Sequence, residues 1–361
     1  MTDTTLRAVA AYRLPSRTSF PVESLSDDDF GVLIGSCVAH RVLGLLGEAI
    51  GSEALPATDT QRDMLEAELQ AWSSHVVRVE RLALQVLEAF NVAGVRSRVL
   101  KGVGLAHTVY EPADLRVFGD VDLLVAGDDL ALAQQVLEQQ FRGKRAQPEL
   151  RPGFDCRFGK EVLVECDGIE VDLHRVFVDG AFGLTIRVDD LFAPPYRFPL
   201  AGYELTALPM PPRLLHAAYA AAIGDWPPRL VALRDVAQIV LREEPNLLDV
   251  LMMAKAWQCE VILARAIVTA WDELALTVET PLLKWARNYE PDRRSQRLLS
   301  AHQGSGRMFT RHLAALEVLD GWGNRLAYLR AIAFPSATYL KARGLTPAVH
   351  IRRAIRGIRA S

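Results

Sequence analysis

The stretch "DLRVFGDVDLLV", residues 114–125, places Asp120 and Asp122 inside a run that is otherwise typical of a buried strand. Side chains two residues apart point to the same face of a strand, so the two carboxylates project together, away from the aliphatic residues between and after them. Like charges at this separation repel, and desolvation strengthens the repulsion. A cation or bulk water must therefore compensate them.

A third carboxylate lies on a predicted hairpin, "KEVLVECDGIEVDLHRVF", residues 160–177. Asp167-Gly168 is the residue pair expected in a two-residue turn. Val162 and Val164 of the first arm and Val171 and Leu173 of the second arm then share one face. The second arm leaves Asp172 on the other face, together with Glu170 and His174. Asp172 therefore belongs to a polar strand face, as the first two acids do.

Carboxylates that converge from two strands suit a divalent cation, because Mg²⁺ binds hard oxygen ligands together with substrate phosphates. Two such ions can hold the attacking and leaving oxygens of a phosphoryl transfer. Asp122 would bridge both ions, and Asp120 and Asp172 would each complete one side. Asp172 could also accept the proton of the attacking hydroxyl. The alternative for the first two acids is an edge strand with a solvated polar face.

These motifs occur in the order found in a known family. "VLKGVGLAHTVYEPADLRVFGDVDLLV" (99–125), followed by "IEVDLHRVF" (169–177), resembles the bacterial nucleotidyltransferase-like family of the DNA polymerase β superfamily. An "LKG" element, an arginine, a D-x-D strand and a hydrophobic-D-L-H strand recur there in this order. The resemblance covers residues 80–180 well and extends loosely into the later helices.

The resemblance implies that Asp120, Asp122 and Asp172 bind two Mg²⁺ ions, with Mn²⁺ as a substitute, at a nucleoside triphosphate site. ATP is the favoured nucleotide. Superfamily members place a Gly-Ser pair at the start of the helix before the D-x-D strand, and this chain has Lys101-Gly102. Phosphate contact would then come from backbone amides at the helix start and from the Lys101 ammonium. An ordinary strand-to-helix turn is the alternative interpretation of this pair.

Two further residues are candidates for the nucleotide site. Arg116 could neutralise phosphate charge, or it could instead pair with a neighbouring acid in a structural ion pair. His174 is interpreted as a hydrogen-bonded support of the site rather than a metal ligand, because Mg²⁺ prefers oxygen.

The chain changes character along its length, which predicts an α+β fold with a small mixed sheet of the polymerase-β-like nucleotidyltransferase type. We expect a helical N-terminal segment over 1–92, a nucleotidyltransferase core over 93–200 and a helical C-terminal region over 201–361. "PPYRFPLAGYELTALPMPPR" (194–213), with its six prolines, is interpreted as the connector into the last region.

The composition of the chain bears on where the protein is located and on the charge of its C-terminal end. The apolar runs are broken by charges, no signal peptide is evident and the four cysteines lack CxxC spacing, so a cytoplasmic protein without membrane insertion is expected. Residues 321–361 hold eight Lys or Arg and no acid, and the end, "HIRRAIRGIRA" (350–360), is predicted to be a basic amphipathic helix. The preceding 320 residues carry 33 bases and 44 acids.

These observations predict a Mg²⁺-dependent nucleotidyltransferase that transfers a nucleoside monophosphate from an NTP and releases pyrophosphate. A small molecule or a peptide is favoured as acceptor over nucleic acid, because the body around the motif is acidic. Two alternatives stay open. One is an inactive nucleotide-binding or regulatory protein on the same fold, and the other is an RNA-directed transferase that uses the basic tail.

Overall fold

A computed structural model describes residues 2–302, 308–346 and 349. The helices are α1 (Thr2–Ala11), α2 (Asp27–Ala39), α3 (Leu43–Gly51), α4 (Asp59–Ala93), α5 (Lys101–Val109), α6 (Leu130–Gln140), α7 (Phe154–Arg157), α8 (Ala181–Leu184), α9 (Val188–Leu191), α10 (Pro212–Ile223), α11 (Leu230–Glu243), α12 (Leu247–Ala256), α13 (Glu260–Glu273), α14 (Pro281–Asn288), α15 (Arg293–His302), α16 (Met308–Val318), α17 (Trp322–Ala333) and α18 (Ala337–Ala342). The strands are β1 (Ser97–Val99), β2 (Val121–Val125), β3 (Lys144–Arg145), β4 (Glu161–Cys166), β5 (Ile169–His174), β6 (Tyr196–Leu200) and β7 (Tyr203–Ala207).

The strands form one mixed sheet in the order β3-β4-β5-β2-β1-β7-β6. β2 runs parallel to β5 and β1 runs parallel to β7, and the other neighbours are antiparallel. Helices precede and follow this sheet along the chain. The prediction of an α+β fold with a mixed sheet and flanking helical segments is confirmed.

The strand that carries the D-x-D motif lies in the interior of the sheet, between β5 and β1. All five residues of β2 are buried. Val121, Leu123 and Val125 pack into a core formed with α4 and α6, as the alternation predicts. Leu124, on the opposite face, joins a second core that contains residues of α2, α3, α10 and α11. The face that carries Asp122 is therefore covered by helices, and a solvated edge strand is excluded for it.

Both hairpins of the sheet turn through two residues with left-handed backbone. In the predicted hairpin, Asp167 and Gly168 have φ values of 50° and 77°. A second hairpin joins β6 to β7 through Ala201 and Gly202, with φ values of 48° and 86°. The connector prediction is therefore wrong over 196–207. β6 is an edge strand, which is where proline is tolerated within a sheet, so the prolines did not prevent strand pairing.

Four helices, α1 to α4, make up most of the region that was predicted to be a helical N-terminal segment over 1–92. The side chain of Ser26 caps α2, and Thr58 and Gln61 form a capping box at the start of α4. α4 ends at Gly94, whose φ is 76°. Among the described residues, none of the helices combines the length and apolar character that a membrane span requires. The predicted basic helix over 350–360 lies outside the described residues.

Candidate active site

Strand pairing brings two of the predicted acids together. In the parallel ladder between β2 and β5, Asp122 lies opposite Asp172, and Leu124 lies opposite His174. One potential ligand atom from each of Asp122, Asp172 and His174 lies within 4.8 Å of the others. The sheet thus assembles a compact, buried Asp-Asp-His cluster from residues that are far apart in the sequence.

Asp122 is the most tightly held member of this cluster. Its Oδ1 lies 3.0 Å from Lys101 Nζ and 2.9 Å from His174 Nε2, and the residue is only 3% exposed. Burial raises the pKa of the carboxyl, but the Lys101 charge and the His174 hydrogen bond outweigh it, so the net shift is downward. The Asp122 charge in turn raises the pKa of Lys101. The pair is therefore ionised at neutral pH.

Asp172 is the member with the most unusual acidity. Its pKa is raised to about 7, first by burial, with His174 opposing the shift and the charges of Asp122 and Glu161 adding to it. Oδ2 lies 4.0 Å from His174 Nε2, which is beyond hydrogen-bond distance. Asp172 can therefore gain and lose a proton near neutral pH.

Glu161, a residue that the sequence analysis missed, completes the surroundings of His174. It lies opposite His174 in the β4–β5 hairpin, and its Oε2 is 3.2 Å from His174 Nδ1 and 2.6 Å from Lys160 Nζ. His174 therefore lies between Asp122 at one ring nitrogen and Glu161 at the other. The turn at Asp167-Gly168 fixes this register, so the sequence did contain the signal.

Asp120 lies apart from the three clustered side chains. It comes one residue before β2 begins, and its Oδ1 accepts a hydrogen bond of 3.0 Å from the Arg41 guanidinium. Arg41 occupies the turn between α2 and α3, with a φ of 56°. The sequence contains no local signal for this partner, because the contact joins residues 79 positions apart.

The Lys101-Gly102 pair starts α5 directly beside the cluster. Gly102 has a non-helical backbone, with φ 17° and ψ −108°, so the first turn of the helix is kinked. A Cβ at Gly102 would lie 3.7 Å from Asp122 Oδ2. The absence of a side chain leaves space next to that oxygen.

Two buried carboxylate oxygens of the cluster lack a hydrogen-bond partner among the described residues: Asp122 Oδ2 and Asp172 Oδ1. Buried oxygens of this kind cost free energy unless a ligand satisfies them. Hard oxygen donors on neighbouring strands fit a divalent cation such as Mg²⁺. The residues present therefore fit the ion that the motif predicts.

The family of the chain follows from comparison with known proteins. The model of a family described as an uncharacterised nucleotidyltransferase matches residues 26–272, which is more than half of the chain. The protein belongs to this family. A comparison with curated proteins finds no match. The predicted resemblance to a nucleotidyltransferase-like family is confirmed.

Arg116 is buried and is bound to an acidic side chain. It is 5% exposed, and its Nε and Nη2 donate to the two carboxylate oxygens of Asp235 at 2.8 and 2.7 Å. Tyr110 also donates to Asp235, at 2.7 Å. Arg116 therefore forms the structural ion pair that was its alternative interpretation. Its role in neutralising phosphate charge stays a prediction.

A cleft of about 340 Å³ opens next to the cluster, and we call it the cationic cleft. Lys101 and His174 line it from the sheet side. Its six cationic residues are Arg41, Lys101, Arg116, Lys160, Arg229 and Arg311, and its three acidic residues are Asp179, Asp225 and Asp235. Five of these cations are paired with carboxylates, Arg41 with Asp120, Lys101 with Asp122, Arg116 with Asp235, Lys160 with Glu161 and Arg229 with Asp225. A row of cations beside a carboxylate cluster can contact an anionic substrate whose metal ion takes over some of these carboxylates.

Proposed function

We propose that this protein is a Mg²⁺-dependent nucleotidyltransferase that transfers a nucleoside monophosphate from an NTP, ATP being favoured, to a small-molecule or peptide acceptor. Pyrophosphate is the second product. The observation that supports this most directly is the pair of buried oxygens on Asp122 and Asp172, which have no hydrogen-bond partner within the described part of the chain and belong to residues that lie opposite each other on parallel strands. Family membership and the adjoining cationic cleft point to the same chemistry.

Asp122 and Asp172 would hold the metal, with Mn²⁺ able to replace Mg²⁺. When bound, the metal supplies neutralisation of phosphate charge and polarises the phosphoryl group. Oδ1 of Asp120 now accepts a hydrogen bond from the Arg41 guanidinium. Asp120 would become a metal ligand if its carboxylate left Arg41 and bound the ion instead. His174 would orient Asp122 through the hydrogen bond at Nε2.

The other tasks of the site are neutralising the triphosphate and accepting a proton, and different side chains would perform them. Lys101, together with the other cations of the cleft, would neutralise the triphosphate and orient it. Asp172 would also accept the proton of the acceptor hydroxyl. The hydroxyl oxygen then forms a bond to the α-phosphorus, the bond from that phosphorus to the bridging oxygen breaks, and pyrophosphate leaves.

Transfer of label from each α-³²P NTP tests this function. The protein is incubated with Mg²⁺ or Mn²⁺ and with separate small-molecule, RNA and protein fractions of a cell extract. We expect metal-dependent labelling that is lost in Asp172→Asn and retained in Glu170→Gln. Glu170 is a matched control because it lies on the same strand face two residues away and is exposed.

The outcomes separate the proposal from its alternatives. Nucleotide binding without labelling of any fraction would favour a binding or regulatory protein. Labelling of the RNA fraction would favour an RNA-directed transferase. Labelling that persists at the wild-type rate in Asp172→Asn would overturn the assignment of this carboxylate.

A further inference from the structure

A second cavity, of about 520 Å³, adjoins the cationic cleft, and we call it the aromatic cavity. The two spaces share Lys160, Asp179 and Arg311 as lining residues. A substrate in one would therefore lie next to a substrate in the other. A reaction between two bound substrates needs this kind of adjacency.

The aromatic cavity takes its name from Phe154, Phe158 and Tyr328, which line one side of it. The ring centroids of these residues are 5.4 to 5.8 Å apart, so the rings support one another. The Tyr328 hydroxyl lies 2.9 Å from His312 Nδ1. This wall is a fixed surface for stacking, because its rings are packed and its polar end is hydrogen-bonded.

The strand β4, which pairs directly with the strand of Asp172, also lines the cavity. Glu161 and Leu163 line the cavity from β4. Leu163 lies opposite Asp172 in the hairpin register, and Glu161 contacts His174. The cavity is thus joined to the metal-binding cluster through one strand pair.

The C-terminal helices close the cavity, and they lie beyond the family match. Arg311, Tyr328 and Tyr339 line it from α16, α17 and α18, whereas the family model ends at residue 272. The catalytic cluster comes from the family's common part, but this wall is added by the remainder of the chain. The region that the family model describes therefore does not include the helices that complete this cavity.

We propose that the aromatic cavity binds the acceptor, and that the acceptor is a small ring-containing alcohol. The inference rests on the proposed nucleotidyl transfer. A volume of about 520 Å³ is within the usual range of about 300–1,000 Å³ for small-molecule sites. The aromatic wall, whose rings are tilted or edge-on to one another, suits contact with a planar or saccharide ring, and the shared Asp179 and Arg311 can hydrogen-bond its hydroxyl groups.

Filling the cavity tests the inference. In Leu163→Trp, an indole would occupy the space above β4, and in Ala146→Trp it would enter from the exposed rim of the same cavity. Glu165→Trp is the matched control, since Glu165 lies two residues along the same face of β4 and is exposed. Ala146→Trp keeps the test valid if the variant at the partly buried Leu163 does not fold.

We measure Mg²⁺-dependent ATP binding and transfer of α-³²P label to the dialysable fraction of a cell extract, with RNA and protein fractions alongside. We expect label in the dialysable fraction alone, and a loss of transfer of about tenfold or more in both cavity variants. ATP affinity should match the wild type in all three variants. Wild-type transfer by either folded cavity variant would overturn the inference, as would label in RNA or protein. If the wild type binds neither ATP nor any other NTP, the proposed function itself fails.

Discussion

Asp172→Asn should stabilise the metal-free protein, and the gain should depend on pH. The pKa of Asp172 is raised from 3.8 to about 7, chiefly by burial. About three pKa units correspond to roughly 4 kcal/mol of free energy, which is an upper value because the site can relax. Asparagine keeps the shape of the side chain and carries no charge to desolvate.

The sign follows from the protonation of each state. Below about pH 4, the carboxyl is neutral in both the folded and the unfolded chain, so it does not lower the free energy of unfolding. Between about pH 4 and 7, the folded protein holds a proton that the unfolded chain has lost, and the free energy of unfolding falls as pH rises. Above pH 7 the carboxyl is ionised in both states, and the loss in the free energy of unfolding has reached its full size. Asp172→Asn should therefore match the wild type near pH 4 and exceed it by about 2–4 kcal/mol at pH 8.

Urea unfolding in the presence of a chelator, at several pH values between 4 and 8, measures this difference. The control is Glu170→Gln, which alters an exposed acid on the same strand face. The free energy of unfolding of this variant should differ little from that of the wild type across the range. A loss of stability in Asp172→Asn that is equal at pH 4 and pH 8 would refute the reasoning, because it would make the carboxylate a structural contact.

Three further predictions concern the charges around the site. Asp122→Asn should lower the free energy of unfolding by about 3 kcal/mol or more, because Lys101 loses its buried partner. In urea unfolding, the double variant that also carries Lys101→Met should recover much of this loss. Asp235→Asn should cost about 3–5 kcal/mol in the same assay because it leaves the Arg116 guanidinium buried without its anion, and a change below about 1 kcal/mol would contradict this. Adding Mg²⁺ should raise the Tm of the wild type more at pH 8 than at pH 5, because the proton on Asp172 competes with the metal, and this pH dependence should be absent in Asp172→Asn.

The parts of this fold that are encoded locally could be predicted from the sequence. The alternation in 121–125 predicted β2 and its aliphatic face, and Asp167-Gly168 predicted the turn of the β4–β5 hairpin. The motif order predicted that Asp172 would meet the D-x-D strand. These features depend on side-chain periodicity and on turn chemistry, which act over a few residues.

The remaining features depend on contacts between distant segments. Arg41 reaches Asp120 from the N-terminal helices, and Asp235 reaches Arg116 from α11. A charged residue on a helix has many conceivable partners, and packing of whole elements decides among them. β6 and β7 were missed for another reason. The prolines indicated a connector, but β6 lies at an edge of the sheet, where a strand can contain proline.

The parallel pairing of β2 with β5 has a consequence for how this family can diversify. Backbone hydrogen bonds between the two strands set the separation of Asp122 and Asp172, so the intervening chain does not determine it. Loops within residues 126–168 can lengthen, shorten or change composition while the two carboxylates keep their places. Residues 145–148, 150, 154, 155 and 158–163 of this stretch line the aromatic cavity. If this cavity binds the acceptor, as we propose, natural variation there would change the choice of acceptor and leave the two carboxylates in place.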